Sequence, residues 1–329
     1  MGMDCESVSK IFSIGNRAAF NEEANQVFRF QLDHNPVYQQ WCKLMGIAHV
    51  DMLPIEQVPF LPISFFKTHK VVATLFEPQA IFESSGTTQG INSKHFVKDI
   101  GLYRSSFIQA FGLFYGDIKD WCIIGLLPSY LERKGSSLIM MVDELIKLSG
   151  HAMSGFYLNE HGKLYNTLQA LEAQEQQVLL IGVTFGLLDF AEAHTMQLKH
   201  TIVMETGGMK GRRREMTRAE VHGILQQQLG VGHIHSEYGM TELLSQAYST
   251  GNGRFFCPPW MKVLVRDEED PLVVRESGRG ILNVIDLANR YSCSFIATED
   301  VGIVYEDGSF EVHGRVDNSD IRGCSLLVI

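Results

Sequence analysis

The densest run of ligand-binding groups in the chain is Glu83-Ser-Ser-Gly-Thr-Thr-Gln-Gly90, with four hydroxyl side chains and two glycines within seven residues. Hydroxyls and free backbone N–H groups can wrap a phosphate chain, and glycine permits the close approach and positive φ angles this needs. No Gly-Lys-Ser/Thr follows, so this is not a Walker loop. An ordinary polar turn would have the same composition. A second segment, His233-Ile-His-Ser-Glu-Tyr-Gly-Met-Thr-Glu242, reads as a strand end leading into a helix that opens near Thr241. A Thr there can donate to an anion, and the neighbouring carboxylate can hold the water shell of a divalent cation or simply complement the helix dipole. His233 and His235 would share one side of a strand, but no third ligand stands at metal spacing. Two weaker segments follow: Thr298-Glu-Asp-Val-Gly302, with Asp300 at a turn between strand-like runs, and Gly314-Arg-Val-Asp317 running on to Arg322-Gly-Cys324, a polar loop.

The hydrophobic pattern supplies the frame for these segments. Phe20, Val27, Phe28 and Leu32 mark an amphipathic helix that Asn35-Pro36 breaks, and a second helix runs through Trp41 and Leu44 to Gly46. Pro59 and Pro62 make the following apolar stretch an extended, buried connector. Strand-like runs at 71–76, 80–83, 122–127, 178–183 and 201–205 alternate with helical stretches at 98–114, 136–149, 162–176, 186–193 and 217–229. Thr217 and Glu220 form a capping box at the start of the last. Strands alternating with helices predict a parallel sheet covered on both faces. From about 255 the texture becomes short strands and turns, at 262–266, 272–275, 280–285, 302–305 and 310–313, with a hairpin turn at Glu306-Asp-Gly308. The expected fold is α/β: a helical N-terminal region (1–69), an α/β core (70–254) and a β-rich subdomain (255–329).

Composition narrows the function. The 329 residues are 45% apolar and 20% charged, which suits a folded globular chain. The net charge of −10 argues against a nucleic-acid coat, whose affinity would come from neutralising phosphates. Within that acidic total, Lys210-Gly-Arg-Arg-Arg214 stands out as a phosphate site, a docking site for an acidic partner, or a solvated loop. No apolar run is long enough for a membrane span, and the N-terminus lacks a secretory pattern. The six cysteines contain no CxxC pair. Reduced thiols and a cytoplasmic location are the expectation.

In this order and spacing, the four segments resemble the signature series of the acyl-adenylate-forming superfamily, which includes acyl-CoA ligases and firefly luciferase. The resemblance implies ATP and Mg2+ as cofactors and assigns roles by position. Ser84, Ser85, Gly86, Thr87 and Thr88 match the loop that holds the ATP phosphates. Gly207 and Gly208 resemble the glycine pair lining the adenine pocket, and Tyr238 and Gly239 match residues along the adenine. Thr241 matches the residue touching the α-phosphate, Glu242 the magnesium-associated carboxylate, Asp300 the ribose-binding Asp, and Arg315 the Arg that reaches the ribose near the hinge. The implied reaction is attack of a carboxylate on the α-phosphorus of ATP, giving acyl-AMP and pyrophosphate, with catalysis by positioning and charge stabilisation.

The sequence departs from the superfamily pattern twice. Gln89 interrupts the usual loop, so Lys94 stands only as a candidate phosphate ligand. The chain ends at Ile329, where the superfamily continues into a small lid domain, so the lid is expected to be absent. Short chains ending after Arg-Gly-Cys resemble the acyl-protein synthetases of the bacterial bioluminescence fatty-acid reductase complex, as do Asn35-Pro-Val-Tyr38 and Pro59-Phe-Leu-Pro-Ile-Ser-Phe-Phe-Lys67. In that family the acyl group passes to a cysteine near the C-terminus, and Cys324 is the matching position. A thiolate on a short tail can attack an acyl-AMP; an incidental terminal cysteine is the plainer reading. The resemblance thus implies a fatty acid substrate and an acyl-reductase or acyl-carrier partner protein. Two alternatives remain: a carboxylate–CoA or carrier-protein ligase with an external thiol, and a non-catalytic acyl-nucleotide-binding protein.

Overall fold

Asn35 sits between two helices and serves both. In the computed structural model, which describes residues 10–47, 52–84, 91–127, 135–158, 160–207 and 216–316, α1 (Arg17–His34) is capped by Asn16 and α2 (Pro36–Leu44) follows at once. The Asn35 side-chain oxygen accepts from Val37 and Tyr38 N–H at 3.1 Å, and Pro36 takes the first helical position, where its missing N–H costs nothing. The connector then makes β1 (Leu61–Pro62), which runs parallel to a later strand, and a single turn, α3 (Phe65–Thr68). The strand expected at 71–76 does not form. Ala73 and Thr74 give their N–H groups to the Tyr291 and His34 carbonyls, and Thr74 has φ +72°, which breaks extended backbone. The buried apolar side chains there signal packing rather than a sheet. Next come β2 (Ala80–Glu83) and β3 (Lys94–Val97), an antiparallel pair, and α4 (Ile100–Tyr115).

The middle of the chain alternates as expected: β4 (Cys122–Leu126), α5 (Ser137–Ser149), β5 (Gly155–Phe156), α6 (His161–Ala173), β6 (Val178–Gly182), α7 (Thr184–Ala193), β7 (Thr201–Glu205), α8 (Arg218–Leu229) and β8 (Ile234–Tyr238). The strands lie in the order β5-β4-β6-β7-β8, all parallel. All five residues of β4 and of β6 are buried, as a sheet covered on both faces requires. Leu164, Leu168 and Leu171 of α6, Leu187 and Leu188 of α7, and Val221, Leu225 and Leu229 of α8 pack with Ile124, Leu180 and Val203 of the sheet in one apolar core. The capping box at Thr217 and Glu220 is formed.

Two short strands follow, β9 (Ala247–Ser249) and β10 (Arg254–Phe255), then β11 (Met261–Arg266), β12 (Val274–Arg275), β13 (Gly278–Asp286), β14 (Phe295–Val304) and β15 (Phe310–Arg315). The last five lie in the order β15-β14-β13-β11-β12, with antiparallel neighbours and β1 parallel to β14. Asp300 therefore lies inside a ten-residue strand rather than at the expected turn. A β-bulge lies beside it, at Val301 and Gly302.

The chain forms two compact units. One comprises Met1–Ala110, Gly239–Ala247 and Phe256–Ser319; the other comprises Phe111–Tyr238, Tyr248–Phe255 and Asp320–Ile329. Among the described residues no helix is long and apolar enough to cross a membrane.

Candidate active site

In the first unit, the β2–β3 hairpin leads into and out of the hydroxyl-rich segment. Ser84 closes its base: its N–H donates to the Ser93 carbonyl at 3.1 Å, and its hydroxyl accepts from the Ser93 N–H at 2.9 Å. Ser85, Gly86, Thr87 and Thr88 lie outside the described residues. Lys94 faces Glu83 across the hairpin, with its ammonium 3.4 Å from that carboxylate, and both side chains are substantially exposed.

The Gly239–Ala247 segment belongs to the same unit. The helix expected to open near Thr241 is not there: residues 241–242 make a turn, and the chain then runs without regular structure, bending at Leu244, to β9. Its backbone groups find tertiary partners instead of helical ones. Asp286 accepts from the N–H groups of Leu244 and Ser245 at 2.7 and 3.0 Å and from the Ser245 hydroxyl at 2.6 Å. Asn289 donates to the Glu242 carbonyl at 2.7 Å, and His95 of β3 meets the Thr241 carbonyl at 2.9 Å. Ser106 of α4 pairs its hydroxyl with that of Ser245 at 3.0 Å and accepts from the Trp260 indole. Glu242 itself is only 1% exposed. Burial pulls the His95 imidazole below its ordinary range, so it is neutral at pH 7 and can donate one ring hydrogen.

Asp300 and Arg315, fifteen residues apart, are brought together as direct partners across β14 and β15, with the Arg315 Nε donating to the carboxylate at 3.0 Å. Arg266 of β11 lies behind them. It donates to the Thr298 and Leu282 carbonyls and to the Asn283 side chain. Burial brings its guanidinium down to about 10, against the pull of Glu299 and Asp300.

In the second unit, Glu205 ends β7 two residues before Gly207. Its carboxylate accepts from Thr184 Oγ1 at 3.0 Å, Ser236 Oγ at 3.0 Å and the Gly207 N–H at 2.9 Å. The Gly207 carbonyl accepts from the Thr184 N–H, and Gly207 takes φ +73°, a conformation that favours glycine. Burial alone would raise the Glu205 carboxyl. His222, Arg218 and the Gly207 N–H more than offset that and hold it down to about 2. Glu237 of β8 goes the other way, pushed up to about 8 by burial and by Glu205. His235 of the same strand is held by the Tyr115 hydroxyl, and burial with His233 brings it down to about 4. Tyr238 ends β8 buried, with its ring 5.9 Å from Phe255. Gly239, the next residue, opens the segment that belongs to the first unit.

Gly208, the basic run 210–214 and Cys324 lie outside the described residues. Of the other cysteines, Cys42, Cys122 and Cys293 are buried and Cys257 is half-buried. Burial pushes the thiols of Cys42 and Cys257 up to about 12 and that of Cys122 to about 11, with Cys293 also raised, so all four are poor nucleophiles. The residues that sequence reasoning missed are those that hold backbone: His95, Asp286, Asn289 and Glu205. Only Glu205 left a trace, as a carboxylate closing a strand just before a glycine pair.

This fold is shared with ligases of known structure. The chain is similar in fold to a crystal structure of 2-hydroxyisobutyryl-CoA ligase in complex with 2-HIB-AMP, with TM-score 0.66 and 13% identity, covering 92% of this chain and 68% of that one. It is also similar to ATP-bound MatB from Rhodopseudomonas palustris, with TM-score 0.52 and 16% identity, covering 72% of this chain and 48% of that one. It thus spans about half the length of MatB. The family model for the acyl-protein synthetase, LuxE, matches residues 14–329. The chain belongs to that acyl-protein synthetase family, and so to the ligases. A curated relative, the long-chain-fatty-acid–luciferin-component ligase of Aliivibrio fischeri, is 22% identical over 327 residues, covering 92% of this chain and 85% of the relative.

Proposed function

We propose that the chain activates a long-chain fatty acid with ATP and then passes the acyl group to a thiol, Cys324 of its own chain, for hand-off to an acyl-reductase or acyl-carrier partner. In the first half, a carboxylate oxygen bonds to the α-phosphorus, the α–β phosphoanhydride bond breaks, and pyrophosphate leaves. In the second, the thiolate sulfur bonds to the acyl carbon and AMP leaves. One observation carries this reading: Ser84, the Thr241–Glu242 pair and the Asp300–Arg315 pair come from distant stretches of chain yet fall in one compact unit. Each has its backbone or side chain held by hydrogen bonds within that unit.

By match to the family pattern, Ser84 and the residues up to Thr88 hold the phosphates, with Lys94 a candidate beside them, and Thr241 donates to the α-phosphate. Asp300 and Arg315 take the ribose, and Gly207, Gly208, Tyr238 and Gly239 line the adenine. Among the described residues no group of three or more His, Cys, Asp or Glu side chains could hold a metal ion. By the same match, Glu242 is the carboxylate that would hold Mg2+ carried in on the nucleotide phosphates. The bound ion would neutralise phosphate charge. The fatty acid is what the Aliivibrio fischeri relative's name specifies. The raised thiols of the four described cysteines make them poor acceptors, and of the other two, Cys5 and Cys324, it is Cys324 that matches the family position.

Intact-protein mass after incubation with MgATP and octanoic to hexadecanoic acids tests this. The expected result is a gain of one acyl group, released by hydroxylamine and absent in Cys324→Ser. Acylation that persists in Cys324→Ser would contradict the acceptor. Acyl transfer to added CoA by that variant would favour an external thiol.

A further inference from the structure

We infer that His95 is a positioning residue for acyl activation: together with Asn289 it fixes the consecutive carbonyls of Thr241 and Glu242, and so sets that pair against the β2–β3 hairpin that carries Ser84 at its base. This rests on the adenylation reading above.

His95 lies on β3, opposite Phe82 and next to Lys94, a few residues beyond the hydroxyl-rich segment. It is 1% exposed, with its ring edge-on to Phe66 and Phe82 at centroid distances of 5.8 and 6.3 Å. An apolar side chain would fill such a space at lower desolvation cost, so packing alone does not account for an imidazole there. What the imidazole adds is the 2.9 Å hydrogen bond from Nδ1 to the Thr241 carbonyl, 146 residues away. Asn289 is fully buried and spends both hydrogens of its amide on carbonyls, those of Glu242 at 2.7 Å and Cys293 at 2.9 Å. Its own oxygen is buried, with the His95 side chain as its polar neighbour. The two residues that hold the Thr241 and Glu242 carbonyls thus also meet each other. Asp286 pins the N–H groups of the next residues but one. Four backbone groups between Thr241 and Ser245 are therefore tied to buried side chains, and His95 makes the only one of these ties that comes from the hairpin. Neither His95 nor Asn289 needs to touch nucleotide; their effect passes through the backbone of Thr241 and Glu242.

The test is carboxylate-dependent ATP–pyrophosphate exchange by the full chain, as wild type, His95→Leu, His95→Asn and Asn289→Ala, each with a thermal melt. Asn places an amide N–H close to where Nδ1 stands. His95→Leu is expected to lower the exchange kcat about 100-fold with KM for ATP within about threefold of wild type, because misplacement of reacting groups acts on the transition state. His95→Asn should recover about tenfold of that loss, and Asn289→Ala should lower kcat about tenfold. A folded His95→Leu with wild-type kcat would overturn the inference, as would a His95→Asn no faster than His95→Leu. If His95→Leu does not fold, Asn289→Ala decides, and an unchanged kcat there would overturn it. No exchange by the wild type would instead sink the adenylation reading itself, a separate failure.

Discussion

Glu205 keeps its charge inside the protein, whereas Glu237 on the neighbouring strand loses its own. The difference lies in partners: against the cost of burial, Glu205 has His222 and Arg218 at 3.7 and 3.8 Å and the Gly207 N–H. Glu237 is raised to about 8. The two act on stability with opposite signs. Glu205, depressed from 4.5 to about 2, contributes stability that is present above the unfolded value and lost as pH falls through the folded one. Glu237, raised from 4.5, contributes stability that is present below pH 4.5 and lost as pH rises through about 8. His235, brought down to about 4, and His95, also lowered, offset this up to about pH 6.5. Urea unfolding should therefore show wild-type stability falling between about pH 6.5 and 8, and Glu237→Gln should flatten that fall while leaving the acid-side loss in place. At Asp300, a charged hydrogen-bonding group is worth about 1.5–3 kcal/mol. If it holds the ribose, Asp300→Asn should raise KM for ATP about tenfold or more with a smaller effect on kcat, read from initial rates.

Among the elements, the Thr241–Ser245 segment shows most clearly what holds the site. It is neither helix nor strand, and its order comes from Asp286, Asn289, His95 and Ser106. Asp286→Ala would leave the Leu244 and Ser245 N–H groups buried and unpaired, and should cost about 2–4 kcal/mol by denaturant titration. The same segment marks where sequence reading stopped working. Tyr-Gly-Met-Thr-Glu followed by Leu-Leu looks like a capped helix start, and nothing local says that Asp286 and Asn289 will take its backbone groups. By contrast, β6 and β7 were legible because continuous apolar runs between helical patterns suit a sheet buried on both faces. The capped helix α8 was legible because Thr217 and Glu220 are close in sequence. At 71–76 the apolar run suggests a strand that does not form: Val71, Val72 and Ala73 are buried and Leu75 is exposed, and nothing local specifies which carbonyls will receive the N–H groups. The candidate nucleotide residues were legible as motifs, whereas His95, Asn289 and Glu205, which fix their backbone, were not.

For the whole molecule, the notable feature is discontinuity. The first unit is assembled from three stretches of chain, and Gly239–Ala247 joins it although the strand just before, β8, belongs to the other unit. Membership of the acyl-protein synthetase family, matched over residues 14–329, says what kind of chemistry such an assembly serves. The central claim is that this chain makes an acyl-AMP. Carboxylate-dependent exchange of labelled pyrophosphate into ATP, measured on the full chain with long-chain fatty acids, tests it most directly because it reads the first half-reaction without any thiol acceptor. The expected result is exchange that requires both fatty acid and Mg2+ and persists in Cys324→Ser. Absence of fatty-acid-dependent exchange from a folded, ATP-binding chain would contradict it.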